Sequence, residues 1–270
     1  MSIHMLNHQF ENASYGQIAA RRRANSVKPS ALGSKAQMAL SLADTPAERS
    51  AAEAMLNRRY DWRGYGSNHK ISDADNHTTF LAHLRNQLVG TLTLGVDSPS
   101  GLAIDTLFKK EVDEYRNVPG AQVCELTKFA FETEEKGADN SLLACLFHAV
   151  FIYGMDSYNC TDLFIEVNPR HRRFYQAMLG FRPIGEVRTN PTVDAPSQLM
   201  WISVAEIAEQ ITAFRSGSKK PSRSLYSLFL SDSEEMMVRS RLSFRRQYGS
   251  LSRIFERGIA AGPGSIVVAL

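Results

Sequence analysis

Cysteine is scarce in this chain, and the three present, Cys124, Cys145 and Cys160, are odd in number and lack the close spacing of a metal knuckle. A disulfide framework and a C-x-x-C zinc site are thereby excluded, leaving the thiols as small buried hydrophobes. The seven histidines contain no H-E-x-x-H motif. His69, Asp73, Asp75 and His77 do stand together, in a polar stretch that reads as a solvated loop, and no metal is expected. Long apolar runs are missing too. No window approaches the roughly 18 consecutive apolar residues of a membrane helix, and no apolar run of signal-peptide type precedes the first arginines, so a cytoplasmic location is expected.

Nor is there a large excess of charge, the formal net value being +3. Basic residues nevertheless cluster at Arg21 to Arg23, at Arg170 to Arg173 and between Lys219 and Arg246. Such clusters suit an acidic macromolecule. They carry no helix-turn-helix, zinc-finger or RNA-binding signature, so nucleic acid is not the expected partner; an acidic carrier protein or peripheral contact with a membrane would use the same field.

What is present is enough for one substantial core, or a core with an appendage: 270 residues, 43% of them hydrophobic. Residues 1–41 are polar and basic without sustained periodicity and read as a mobile arm. Thr45-Pro46-Ala47-Glu48 is a capping box with proline at the first helical position, which predicts a helix to about Arg59. Two β-rich runs, Thr78 to Leu84 and Leu88 to Leu94, flank a turn and predict a hairpin. Apolar residues at helical spacing from Ile104 to Tyr115 predict a short amphipathic helix. Val123 to Phe131 reads as a buried strand, Leu142 to Phe151 as a helix, and Thr161 to Val167 as a second strand. Asn168-Pro169 then opens a helix that Gly180 ends, and closing strands follow at Phe181 to Val187 and Gln198 to Ile202. The alternation predicts an α/β domain over residues 42–204 with a mixed sheet flanked by helices. Residues 205–270 are expected to form a C-terminal helical extension, interrupted by a Ser/Lys/Pro linker at 216–224.

The segment Asn168 to Phe181, whose Phe174 to Phe181 reads F-Y-x-x-x-L-G-F, one residue longer than the common F-Y-x-x-L-G-F, resembles the late strand-to-helix unit of GNAT acyltransferases. Taken with Arg59-Tyr60, Gly64-Tyr65, the stretch Asp97 to Asp105 and Glu125-Leu126-Thr127-Lys128-Phe129-Ala130, it is similar to the long-chain N-acyl amino acid synthases. These are relatives of the acyl-homoserine lactone synthases, whose comparable strand carries E-x-x-R where this chain reads E-x-x-K. The resemblance covers roughly residues 42–204 and implies a mostly antiparallel GNAT sheet. It also implies transfer of a fatty acyl group to an amino acid, tyrosine being the acceptor it favours.

In acetyl-coenzyme A enzymes of this fold, a glycine-rich loop cradles the pyrophosphate on backbone N–H groups. Here the equivalent segment is Glu134-Glu135-Lys136-Gly137-Ala138-Asp139, whose carboxylates repel such an anion. The expected donor is therefore an acyl-4′-phosphopantetheine thioester on acyl carrier protein, with no resident cofactor and with Arg170, Arg172 and Arg173 as contacts for the acidic carrier.

Amide formation from a thioester requires removal of an ammonium proton, attack on the carbonyl and protonation of the leaving thiolate. Glu125, a carboxylate in an apolar strand, is the candidate base, or else the ion-pair partner of Lys128. Tyr175 occupies the position of the tyrosine that protonates the leaving sulfur in many GNAT enzymes, or is a packed helix tyrosine. Arg59 is the candidate clamp for the acceptor's carboxylate, with Thr127, Lys128 and Phe129 beside it. Leu92, Leu94, Phe131, Leu142, Leu146 and Phe147 are candidates to line an acyl pocket, ordinary core being the alternative. A lactone-synthase-like enzyme using S-adenosylmethionine, or a non-catalytic acyl- or nucleic-acid-binding module, are the competing functions.

Overall fold

The computed structural model describes residues 36–132, 138–218, 224–248 and 254–259. Along the chain run β1 (Ala36–Leu42), α1 (Pro46–Asp61), β2 (His77–Leu84), β3 (Gln87–Val96), α2 (Asp105–Arg116), β4 (Val123–Phe131) and α3 (Ala138–Tyr158). They are followed by β5 (Asp162–Val167), α4 (Arg172–Leu179), β6 (Arg182–Asn190), β7 (Ala195–Ser203), α5 (Val204–Arg215), α6 (Asp232–Tyr248) and β8 (Phe255–Ile259). A single sheet in the order β6-β7-β5-β4-β3-β2-β1-β8 joins all the strands. Only β4 and β5 are parallel, and α3 is the crossover that a parallel connection needs. The mixed, mostly antiparallel sheet is thus the one expected.

Local chemistry accounts for most element ends. Thr45 Oγ1 accepts from the Glu48 N–H at 3.2 Å while Glu48 returns a carboxylate to the Thr45 N–H at 2.8 Å, the reciprocal capping box that starts α1. Arg85 and Asn86 both have positive φ, 51° and 64°, the geometry that closes a two-residue hairpin with the twist of its strands. Asn168 caps a 3-10 turn, Pro169–His171, through its side chain, and α4 begins only after that turn.

The sheet separates two layers. On one face α3 packs against β2 and β3 and carries the main apolar core, which includes Leu92, Leu126, Phe129 and Leu142. On the other face lie α1, with Leu56 and Tyr60 buried, and α2, with Phe108 and Val112 buried. Residues Asn140–Tyr158 of α3 are long and apolar enough to span a membrane by composition, yet they form the buried centre of this layer.

Two boundaries differ from expectation. Order starts before the capping box, because residues 36–41, assigned above to a mobile arm, lie in β1, where Met38, Leu40 and Leu42 alternate into the core. Residues 1–35 lie outside the described residues. The C-terminal extension is helical in α5 and α6, but β8 then joins the sheet edge, pairing antiparallel with β1 from Ala36↔Ile259 to Leu40↔Phe255. An edge pair separated by some two hundred residues leaves no periodic trace in either segment.

Candidate active site

The site is organised by a fault in the central strand. β3 and β4 pair at Thr91↔Ala130 and again at Thr93↔Thr127, so Leu92 alone stands opposite both Lys128 and Phe129. Lys128 absorbs the extra residue with a φ of 51°. In an unbroken strand Glu125 and Lys128 would face opposite layers. The bulge turns Glu125, Thr127 and Lys128 toward the α1 and α2 layer, while Cys124, Leu126 and Phe129 face α3.

Glu125 is fully buried, and burial raises its carboxyl pKa. Two backbone donors pull in the opposite direction: Oε1 accepts from Ala103 N–H at 2.8 Å and Oε2 from Ile104 N–H at 3.0 Å, at the entrance to α2. The loop supplying them is held by Arg116, which forms ion pairs with Asp97 and Asp105, each at 2.7 Å, and with Asp113 at 2.8 Å. Gly95 lies close opposite: a Cβ there would stand 3.2 Å from Glu125 Cγ and 3.4 Å from His77 Nε2, so a larger residue would press on the Glu125 side chain.

Around Glu125 the same face is polar. Burial lowers the Lys128 ammonium pKa to about 8, against the attraction of Glu125 and Glu53. His77 is likewise lowered, by burial first and by the Lys128 charge second. Thr79 and Thr93 share a hydrogen bond of 2.7 Å. Across the strand gap Glu166 of β5 is buried and accepts from Asn190 Nδ2 at 2.7 Å. The hydroxyls of Thr91 and Ser197 are buried without a hydrogen-bond partner among the described residues.

β4 and β5 pair only from Val123↔Asp162 to Leu126↔Ile165, although β4 continues to Phe131 and β5 to Val167. Beyond that point the strands part. Tyr175 of α4 has its ring against Phe174 and Phe181, and its hydroxyl, fully buried, has no hydrogen-bond partner among the described residues. Burial and, secondarily, Tyr60 of the opposite layer raise its phenol pKa well above the usual value. On the α3 side of the sheet, against the paired stretch of β4 and β5, lies an apolar cavity lined by Leu126, Phe147, Leu163 and Phe181 among others.

The structure thus places Glu125, Thr127 and Lys128 on one face of β4 and Tyr175 on α4. Arg59 pairs with Glu132, the residue that follows β4, at 3.4 Å. Phe129 faces the α3 core rather than the polar layer. Of the expected acyl-pocket residues, Leu94 and Phe147 line the cavity, whereas Leu92, Phe131, Leu142 and Leu146 are core around it. Arg170 is engaged inward, donating to Tyr65 Oη at 2.8 Å and to His171 Nε2 at 3.1 Å, while Arg172 and Arg173 are exposed on α4. His69, read above as part of a solvated loop, is packed against Tyr60 and bonded to Asn57. No metal-binding cluster occurs among the described residues. Segment 134–139, whose acidity disfavours a pyrophosphate, lies outside the described residues except for the first backbone positions of α3. Glu166 was not anticipated, although the signal that marks Glu125, a carboxylate in an apolar strand, also marks Asp162-Leu-Phe-Ile-Glu166-Val167.

A mixed sheet that opens between two parallel central strands, with a bulge beside the opening, defines the GNAT fold. The family model described as N-acyl amino acid synthase FeeM matches residues 51–203, more than half of the chain, and the protein belongs to that family. The solved structure of FeeM, an N-acyl amino acid synthase from uncultured soil microbes, is 26% identical with a TM-score of 0.55, covering 64% of this chain and 93% of that one. The CoA-dependent acyl-homoserine lactone synthase MesI is 17% identical with a TM-score of 0.45, covering 69% of this chain and 98% of that one. For the acyl-homoserine lactone synthase LasI the values are 14%, 0.43, 64% and 91%. No curated protein matches the chain.

Proposed function

We propose that this protein transfers a long-chain fatty acyl group from the phosphopantetheine arm of acyl carrier protein to the α-amine of an amino acid, in the cytoplasm. The observation that carries this reading is β4 itself, which presents a buried polar cluster on one face and lines an apolar cavity with the other. A thioester seated in the opening lays its chain in the cavity and presents its carbonyl carbon to the polar side. There Glu125 takes a proton from the acceptor's ammonium group, and the freed amine attacks the carbonyl. The bulge removes a residue from the ladder, and its backbone N–H is the donor we assign to the developing oxyanion. Collapse breaks the C–S bond, the Tyr175 phenol, still protonated at neutral pH, delivers its proton to the leaving sulfur, and the second proton of the attacking nitrogen is lost to restore the phenol and leave the neutral amide.

Lys128 takes the place intended for Arg59 as the cation for the acceptor's carboxylate, because it shares a face with Glu125 whereas Arg59 pairs with Glu132. Exposed Arg172 and Arg173 on α4 suit the acidic carrier. The test is purified protein incubated with matched acyl-carrier and acyl-coenzyme A donors and with a panel of amino acids, products being identified by mass spectrometry. N-acyl amino acids formed from the carrier donor and lost in Glu125→Gln are expected. Product from coenzyme A alone would overturn the donor assignment, and no amide from any pair would overturn the reading.

A further inference from the structure

The family match ends at residue 203, yet the cavity does not. Its outer wall is built by residues beyond that point: Val204 and Ile207 of α5, and Tyr226 and Phe229 of the segment before α6. Opposite them α3 contributes Gly154, a glycine inside a long helix, where it costs about 1 kcal/mol relative to alanine. A Cβ at Gly154 would meet Leu94 Cδ2 at 3.5 Å and Cys160 Sγ at 3.6 Å, both groups that line the cavity, so a larger side chain there occupies the space itself.

The wall is clasped in place by specific bonds. Ser224 Oγ donates to the Met178 carbonyl at 3.1 Å and Tyr226 Oη to the Leu179 carbonyl at 2.8 Å, so the segment satisfies carbonyls at the C-terminus of α4. Phe229 stacks on His148 of α3, ring centroids 4.7 Å apart, and the next residue's N–H, that of Leu230, donates to His148 Nδ1 at 3.0 Å. With Nδ1 accepting, the neutral ring carries its proton on Nε2, which faces Glu235 Oε2 at 3.3 Å. Glu235 is in turn paired with Arg215 of α5 and with Arg239, which also reaches Asp156 of α3. α5, the Phe229 segment and α6 are thus tied to the helix that roofs the cavity.

We propose that this C-terminal segment is the measuring wall of the acyl site, with Phe229 and Ile207 on one side and Gly154 on the other setting the longest chain accepted. The inference rests on the reading of the cavity as the acyl site, and its test separates the two. The full-length protein and variants are assayed with a competing series of saturated acyl donors from short to long, and the same series of free fatty acids is used to displace a fluorescent fatty-acid probe. Phe229→Ala is expected to raise the ratio of longer to shorter product by about tenfold or more, and Gly154→Leu to lower it by a similar factor, since a pocket discriminates a single methylene by roughly 10–200-fold. Met236→Ser, on the exposed side of α6, is expected to leave the ratio unchanged. If Phe229→Ala does not fold, Gly154→Leu, away from the clasp, decides alone. Folded variants with the wild-type chain-length profile in both assays would overturn the proposal. Absence of any amide from the wild type would instead overturn the function, and the displacement series would then decide the wall by itself.

Discussion

Replacing Tyr175 by phenylalanine moves stability and rate in opposite directions. The hydroxyl is buried and has no hydrogen-bond partner among the described residues, so the folded state bears its desolvation without return. An unsatisfied buried polar group costs about 1–3 kcal/mol, and its removal at constant ring packing should return on the order of 1 kcal/mol. For a domain of this size that raises Tm by about 2–4 °C. The ring contacts with Phe174 and Phe181 are untouched. Catalysis should nevertheless fall by about 100-fold or more, the ordinary contribution of a positioned general acid. Calorimetry gives the first quantity, and thiol release from an acyl carrier thioester in the presence of amino acid gives the second. A donor with a more acidic leaving thiol should recover much of the lost rate, because it needs no proton from the enzyme. A variant that is destabilised, or one that keeps the wild-type rate, would refute the reasoning: the first means that the hydroxyl has a partner, the second that the sulfur finds its proton elsewhere.

Lys128, with a pKa of about 8, is charged below that pH and neutral above it. KM for the amino acid should therefore rise as pH increases through 8, and in Lys128→Met it should be high at every pH; initial-rate kinetics across that range decide. Arg116→Ala leaves Asp97 and Asp105 facing each other beside the loop that holds Glu125, which should cost about 2–3 kcal/mol in urea unfolding and slow the reaction as well. The clasp on the cavity wall should open in acid. His148 has its pKa lowered by burial, and Glu235 has its own lowered by His148 and two arginines. Both therefore contribute stability that is complete above the unfolded values, about 6.5 and 4.3, and that is lost as pH falls through the folded ones. Limited proteolysis of the segment after residue 218 should accelerate below about pH 6, and the acceleration should be weaker in His148→Gln.

Much of the fold was written in short-range signals. The Thr45–Glu48 box, the Arg85-Asn86 turn and the Asn168-Pro169 pair each act within four residues, and each sits where its chemistry requires. β1 and β8 escaped because a strand pair is a property of two segments, and here the partners stand at opposite ends of the described chain. The site divides similarly. Glu125 and Lys128 were legible as chemistry, but their common face exists only because Leu92 on the neighbouring strand is outnumbered by two residues. The helix position of Arg59 says nothing about its pairing with Glu132, and the arginines before α4 could not reveal that Arg170 bends toward Tyr65. Cavities are spaces between elements, so the wall made by Ile207 and Phe229 had no signature in either residue alone.

The antiparallel partnership of β1 with β8 has a consequence for how the molecule comes into being. During synthesis β1 emerges early and pairs with β2, but its outer row of N–H and C=O groups waits for a strand made at the end of the described chain. Throughout that interval the nascent protein presents an open template to any extended segment nearby. Contacts of such long sequence separation also form slowly, since the intervening loop must close first. A chain cut at the family boundary, after residue 203, would carry the open edge permanently and would also lack the wall of the cavity. Such a truncation should recover chiefly as aggregate, even though every residue of the proposed catalytic apparatus is present in it.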